Sequence, residues 1–402
     1  MRGHHGLMVE ITRDNIGTAP WSELLTAAVS LRQQLHRRPE LPWHERETAD
    51  RIRRQLSALD IPWRACADTG TVATLAANAA GAPIALRADI DALPINEDTL
   101  HGYPSEHPGC MHACGHDGHT ATLMAAVWWL KQQEARLPQP VVLLFQPAEE
   151  GGHGAREMIR DGALQGVSCI YGWHNWPAIG LGQAVCPDGA VMSANGTFHV
   201  RVQGQGGHAS QPELCRDPVL GAAAITQALQ QLVSRRLAPQ HAAVVSVTHI
   251  EAHSADTVIP DHATLGGSIR LADDRLRDEI VQLITRVAED TAKAYAVTAE
   301  VRCDTRYGAT VNAPQAAACY RQALADEFGP DWRCQDILLP IMASEDFSYY
   351  LQQLPGAFAL IGSHQGDGVA EPCHSPRYDF NDQLIGRVAR VYARLVGAPI
   401  PE

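Results

Sequence analysis

No uninterrupted apolar run approaches the ~20 residues that a membrane-spanning helix needs, which argues against a helical membrane protein. Residues 1–30 lack the succession of basic, apolar and small residues of a secretory leader, so the chain is expected to be unexported, soluble and cytoplasmic. Positive charge is scarce: 45 acidic against 32 basic residues give a formal net charge of −13. That is the wrong sign for a phosphate-rich partner, so no nucleic acid is expected. Internal repeats and low-complexity tracts are absent, which argues against solenoids and propellers. Clustered cysteines are absent too. The ten present are scattered singly, a pattern of reduced thiols that are mostly small buried hydrophobes.

What is present is a globular composition. A hydrophobic fraction of 45% over 402 residues, at roughly 150 residues per domain, suggests two to three domains. The opening Met1-Arg-Gly-His-His-Gly6 fits a tag remnant or native sequence equally. From Trp21 to Leu59 the apolar spacing is helical, interrupted where Pro39 and Pro42 cannot sit inside a helix. Strands are expected at Pro83–Ala88, Pro140–Phe145 and Ser168–Tyr171, alternating with helices at Thr120–Gln133 and Ala155–Asp161. Such alternation predicts an α/β fold with a mostly parallel sheet covered on both faces. After Pro187 the texture changes. Strands at Gly196–Val202, Ala243–His249 and Ala263–Leu271 and helices at Val219–Val233 and Leu276–Tyr295 suggest a smaller α+β insert. The expected organisation is a catalytic domain in two pieces, 1–187 and 300–402, with a second domain, 188–299, inserted between them.

Four short segments carry candidate chemistry. In Met111-His-Ala-Cys-Gly-His-Asp-Gly-His119, Cys114 and His116 stand two apart, so an extended loop can turn a thiolate and an imidazole toward one zinc-class ion. A buried thiol beside a helix-capping Asp117 fits that segment as well. Gln146-Pro-Ala-Glu-Glu150 follows an apolar strand. Adjacent carboxylates there can divide labour, one binding a metal and the other taking a proton from water. A solvated acidic start to the next helix is the plainer reading. In Tyr171-Gly-Trp-His-Asn-Trp-Pro177, His174 is expected just beyond a strand, where open α/β sheets form binding sites; alone it reads as a packed core histidine. His374, in Glu371-Pro-Cys-His-Ser-Pro376, is an ordinary loop histidine unless it joins the others.

These segments, with Leu35-His-Arg-Arg-Pro-Glu-Leu41, Leu86-Arg-Ala-Asp-Ile-Asp-Ala-Leu-Pro94, Gly206-Gly-His-Ala209 and Ser344-Glu-Asp-Phe347, resemble the aminoacylase/carboxypeptidase family of dinuclear metallohydrolases. The likeness is to the amidohydrolase branch that includes hippurate and indoleacetyl-amino-acid hydrolases, and the motifs run in order from about Leu31 to Asp382. The resemblance implies two divalent metal ions, Zn foremost with Mn, Co or Ni open, held by Cys114, His116, Glu150, His174 and His374. Glu149 would be the general base, and Asp89 and Asp91 would orient ligand histidines. The insert would be a lid and dimerisation domain, with His208 stabilising the oxyanion in the partner site of a homodimer and Arg270 pairing with a substrate carboxylate. Thr257 stands where relatives usually carry an asparagine that contacts substrate, and Trp173 and Trp176 flanking His174 are bulkier than usual.

The expected activity is hydrolysis of an N-acyl amino acid to a carboxylate and an amino acid. A dipeptidase or carboxypeptidase of the same family would share the water chemistry. A covalent mechanism with Cys114 as nucleophile would leave the rest of the cluster unexplained. A non-catalytic metal-binding relic would not need Glu149.

Overall fold

Val141–Gln146 is a run of buried residues without polar alternation, and such a strand has to be covered on both faces. In the computed structural model, which describes residues 11–366 and 370–402, it lies inside a seven-stranded sheet. The opening Met1–Gly6 run lies outside the described residues. Strand order is Trp63–Cys66 (β1), Gly70–Leu75 (β2), Val141–Gln146 (β4), Ile84–Asp89 (β3), Cys169–Gly180 (β5), Gly356–His364 (β11), Ala184–Val185 (β6).

The four central strands, β4-β3-β5-β11, are parallel. Those toward either edge, β1, β2 and β6, pair antiparallel. The sheet is therefore parallel through its centre, as expected, with antiparallel strands toward its edges: short edge strands can be joined by tight turns, whereas the buried centre needs helical crossovers.

Helix α3 (His116–Gln132) is buried almost all round, as its apolar composition requires. It packs on β3 between α1 (Trp21–Arg37) and α8 (Gln383–Leu395). Its first residue is His116, so the metal-type histidine begins the helix and does not precede it. Gly115 makes that possible. Its φ is +89°, and a Cβ there would stand 2.5 Å from Asn175 Nδ2 and 2.6 Å from the Tyr378 hydroxyl.

The chain divides into two compact units. The larger comprises the sequence up to Gly189 with Val311–Ile337 and Tyr349–Glu402; the smaller comprises Ala190–Thr310 and Leu338–Ser348. The smaller has a four-stranded antiparallel sheet ordered Ala243–Glu251 (β8), His262–Leu271 (β9), Ala194–Gln203 (β7), Thr298–Thr305 (β10). Helices Pro218–Leu229 (α5) and Arg277–Ala294 (α6) pack on it, completing a β-α-β-β-α-β order.

The expected boundary after residue 299 falls inside β10, because that strand covers the edge of β7 that would otherwise lie open. Leu338–Ser348 joins the same unit through backbone bonds such as Ile341 N–H to Val191 O and Ser193 N–H to Ala343 O.

Among the described residues no helix is long and apolar enough to cross a membrane. None of the ten cysteines is in a disulfide.

Gly115→Ala places a side chain in the left-handed region and against Asn175. It should cost about 1–3 kcal/mol, read as an earlier unfolding midpoint in a denaturant titration.

Candidate metal centre

The carboxyl ends of β3 and β4 deliver Asp89, Asp91, Glu149 and Glu150 to one place. His174 does not follow its strand as expected. It lies in the middle of β5, opposite Leu360 of β11. Pairing of β5 with β3, however, ends at Tyr171, so His174 sits beyond the stretch of β5 that β3 covers. The loop before α3 supplies Cys114 and His116, and the backbone bond from His374 N–H to Ala113 O, 2.7 Å, brings the C-terminal loop alongside.

The five candidate ligands thereby converge. Cys114 Sγ is 3.3 Å from His174 Nε2, and His374 Nε2 is 3.2 Å from Glu150 Oε1. Donor atoms of Cys114, His116 and His174 lie within 4.8 Å of one another, and so do those of Cys114, Glu150 and His374. Cys114 belongs to both triplets. Glu149 joins His116 and Glu150 in a third. All are buried or nearly so except His374, whose side chain is 53% exposed.

Asp91 binds this centre together. Its Oδ1 lies 3.1 Å from His116 Nδ1 and its Oδ2 accepts the Glu150 N–H at 2.9 Å. With Nδ1 so held, His116 Nε2 is turned inward and has no hydrogen-bond partner although buried. A fully buried imidazole nitrogen without a hydrogen-bond partner, facing a thiol and carboxylates, is suited to a cation.

The electrostatics agree. Burial works against a charged His116, but Asp89, Asp91 and Glu150 outweigh it and raise the imidazole to about 10. The Cys114 thiol is pushed well above its usual range by its contact with Cys373, by burial, and by Glu150 and Glu149. Burial holds His174 well below the usual histidine range, which leaves it a neutral donor. Negative charge is thus in excess, and divalent cations would relieve it.

Asp89 faces two histidines. It lies 3.6 Å from His116 Nε2 but only 2.6 Å from His119 Nδ1, so its close partner is His119. His119 Nε2 in turn accepts the Asn175 N–H at 3.2 Å. The Asn175 amide donates to Cys114 O at 2.8 Å and accepts from the Tyr378 hydroxyl at 2.5 Å. His119, Asn175 and Tyr378 were not singled out from the sequence, although His119 lies within the quoted motif; their roles follow from contacts 56 to 203 residues apart.

Strand alternation separates the two tryptophans. Trp173 faces away from His174 into the core, 4.7 Å from the His119 ring. Trp176 shares the face of His174, at 6.2 Å between rings, and is half-buried.

Within the smaller unit, Arg270 Nη1 donates to Ser344 Oγ at 2.8 Å. Burial and neighbouring Arg306 lower the pKa of this guanidinium, as expected of two cations held close. Arg306 carried no sequence signal. His208 is exposed in a two-stranded ladder with Val258–Ile259, and its Nδ1 meets the Ser210 hydroxyl at 2.8 Å. Thr257 is exposed, and its carbonyl accepts the Ala209 N–H at 2.9 Å. Glu345 and Asp346 are buried, Glu345 accepting the Phe347 N–H at 3.0 Å.

Comparison with known proteins agrees with this geometry. The profile of peptidase family M20/M25/M40 matches residues 85–398. The chain is 35% identical to an IAA-amino acid hydrolase ILR1-like 5 of Arabidopsis thaliana, over 96% of this chain and 89% of that protein. It is 38% identical to the N-acetyl-L-cysteine deacetylase of Bacillus subtilis (strain 168), over 90% and 86%. Among solved structures, the YXEP protein of Bacillus subtilis, a dinuclear metal binding peptidase from the M20 family, superposes with a TM-score of 0.80 at 31% identity. That match covers 93% of this chain and 98% of that one. With a buried, acid-rich donor cluster at the strand ends and relatives of this identity along nearly its whole length, the chain belongs to peptidase family M20/M25/M40 and is a metal-binding hydrolase of amide bonds.

Proposed function

We propose that the protein hydrolyses N-acyl amino acids to a carboxylate and a free amino acid, with Cys114, His116, Glu150, His174 and His374 holding two divalent cations. The observation that carries this reading is the membership of Cys114 in two donor triplets at once, with Glu149 beside both. His116 and His174 on one side of Cys114, and Glu150 and His374 on the other, would give two cations a donor set each. Thiolate and imidazole donors favour zinc, with manganese, cobalt and nickel as substitutes.

When bound, the ions polarise the scissile carbonyl and lower the pKa of an attacking water. Glu149, outside the two triplets that share Cys114, takes that water's proton and returns it to the departing amine. Asp91 keeps His116 turned toward the centre through Nδ1. Arg270, with Arg306 beside it, is suited to a substrate carboxylate, since a partly buried guanidinium repelled by a second cation favours an anion. Exposed His208 serves as the oxyanion donor and Thr257 as a substrate contact. His208 acts across a homodimer formed through the smaller unit, whose edge strand β8 is paired on one side only. Ten unpaired cysteines accord with a reducing, cytoplasmic setting.

The relatives name both an aromatic and a small acyl group. Trp176, on the His174 face, supports an aromatic acyl group here, because a half-buried indole beside the centre offers an aromatic contact.

Glu149→Gln should lower kcat by about 10²–10⁴-fold while metal content by mass spectrometry stays unchanged; undiminished turnover would remove Glu149 from the chemistry. An amine-release panel of acetyl-, benzoyl-, indoleacetyl- and aminoacyl-amino acids, supplied in turn with Zn, Mn, Co and Ni, tests the substrate class, and preference for the aminoacyl member would make the enzyme a dipeptidase. On that panel, Trp176→Ala should reduce kcat/KM for aromatic acyl substrates about tenfold, the loss of one aromatic contact, and leave the acetyl substrate nearly unchanged.

A further inference from the structure

A second donor cluster lies outside the centre just described. At the C-terminal end of α1, His36 is completely buried, and the loop from Glu97 to Ser105 packs over it. His36 Nε2 is 3.3 Å from Glu97 Oε1, and His101 Nε2 is 3.1 Å from the same oxygen. All three donors lie within 4.8 Å of one another. Tetrahedral coordination at ~2.0–2.1 Å puts neighbouring donor atoms about 3.3 Å apart, the spacing seen on both measured edges.

The surroundings are those of a metal ligand set. His36 Nδ1 is held by Asp117 Oδ2 at 2.8 Å, the carboxylate-histidine arrangement that aims the opposite ring nitrogen at an ion. Asp117 is itself anchored by Arg32 Nε at 3.1 Å. The His101 ring is fixed by stacking on Tyr103, 3.9 Å between centroids, and its Nε2 also lies 3.1 Å from Thr99 Oγ1 and 4.0 Å from Asp379 Oδ1. Negative charge is in surplus here too. Glu97, Asp117, Asp379 and Asp382 surround the guanidinium of Arg32 and the His36 ring, and burial, with Asp117 and Asp379 adding to it, pushes Asp382 up to about 6 despite Arg32. His101 is only partly buried, so an ion can reach the cluster from solvent.

We infer that His36, Glu97 and His101 form a third site for a divalent transition-metal ion, with water or Asp379 completing the coordination. Two imidazoles and one carboxylate are the donors that zinc and its first-row neighbours accept. Binding would tie the Glu97–Ser105 loop to the end of α1, which makes the site structural. Entry of the ion displaces a proton from between His36 and Glu97 and releases it to solvent.

The test is metal counting on the full chain, stripped with a chelator, reloaded with zinc and desalted. Three equivalents per chain are expected for the wild type, and two for both His101→Ala and Glu97→Gln. Reloading with cobalt separates the sites by spectrum. The sulfur-to-cobalt charge-transfer band of the Cys114 centre should keep its intensity in both variants, while ligand-field absorption falls. Equal metal counts in the wild type and both variants would overturn the third site, whether the count is two or three, since the first leaves the cluster holding only protons and the second puts the extra ion elsewhere. Glu97→Gln retains an acceptor for the Ser105 N–H, so it decides the matter if His101→Ala does not fold. Amide hydrolysis, measured alongside, reports on the proposed function separately, because neither variant touches the residues assigned to it.

Discussion

The Asp91 carboxylate is the joint on which the candidate centre depends. It leaves the end of β3 fully buried, and each of its oxygens restrains a different element: Oδ1 the first residue of α3, and Oδ2 the backbone of the turn after β4. A strand end, a helix start and a second strand end are thereby held in register by one side chain. Its negative charge is tolerated without solvent because both partners present N–H groups to it. Removing it would leave the Glu150 N–H without its acceptor and His116 Nδ1 with the Asp91 carbonyl alone, at 3.0 Å.

Behind that joint the molecule stacks further carboxylate–cation pairs. Arg87 donates to Asp89 at 2.7 Å and to Gln146 at 2.8 Å, and Tyr392 of α8 donates to the Arg87 carbonyl. Arg32 of α1 pairs with Asp117 one residue past His116. Each pair sits under a residue of the centre, so the strand ends that carry donors are also those most constrained from below. Such buried pairs add little net stability compared with apolar packing, but breaking one leaves an uncompensated charge, which favours a single arrangement of the strand ends over many.

Much of this was legible in the sequence. Helix and strand positions followed from apolar spacing, because α3 and β4 are buried all round and their composition says so. Cys114, His116, Glu149 and Glu150 stood out as short motifs beside strand and helix ends. What escaped was set by partners distant along the chain. His174 was expected past its strand because the apolar run stops at Tyr171, yet β11 continues to pair with it through His174 and beyond. The end of the insert was misplaced because nothing within Thr298–Thr305 says that it lies beside β7. His119 has the same residue type as the metal-type histidines, but both its ring nitrogens are already engaged, by Asp89 and by the Asn175 N–H. Arg306 acquires meaning only beside Arg270.

The same logic accounts for how two adjacent glutamates come to differ. The turn that carries them begins with Ala148 at φ +53° and passes through Gly151 at φ +93°, a tight reversal that adjacent side chains leave in different directions. Glu45 Oε1 accepts the Ala148 N–H at 2.8 Å, and Asp91 Oδ2 accepts the Glu150 N–H at 2.9 Å. Carboxylates therefore fix the Pro147–Ala148 and Glu149–Glu150 peptide planes from behind the turn. Glu45 bears the cost: burial, and then Asp91, push it up to about 7. With these peptide planes held, the Glu149 backbone approaches the centre from a fixed direction, and a proton acceptor mounted this way is oriented before it engages a water. Glu150, whose N–H is the one that Asp91 holds, also meets His374 through its carboxylate. One peptide bond separates two carboxylates that the turn sends to different neighbours, Glu150 to His374 and Glu149 to His116, and that divergence is what lets neighbouring carboxylates take different tasks.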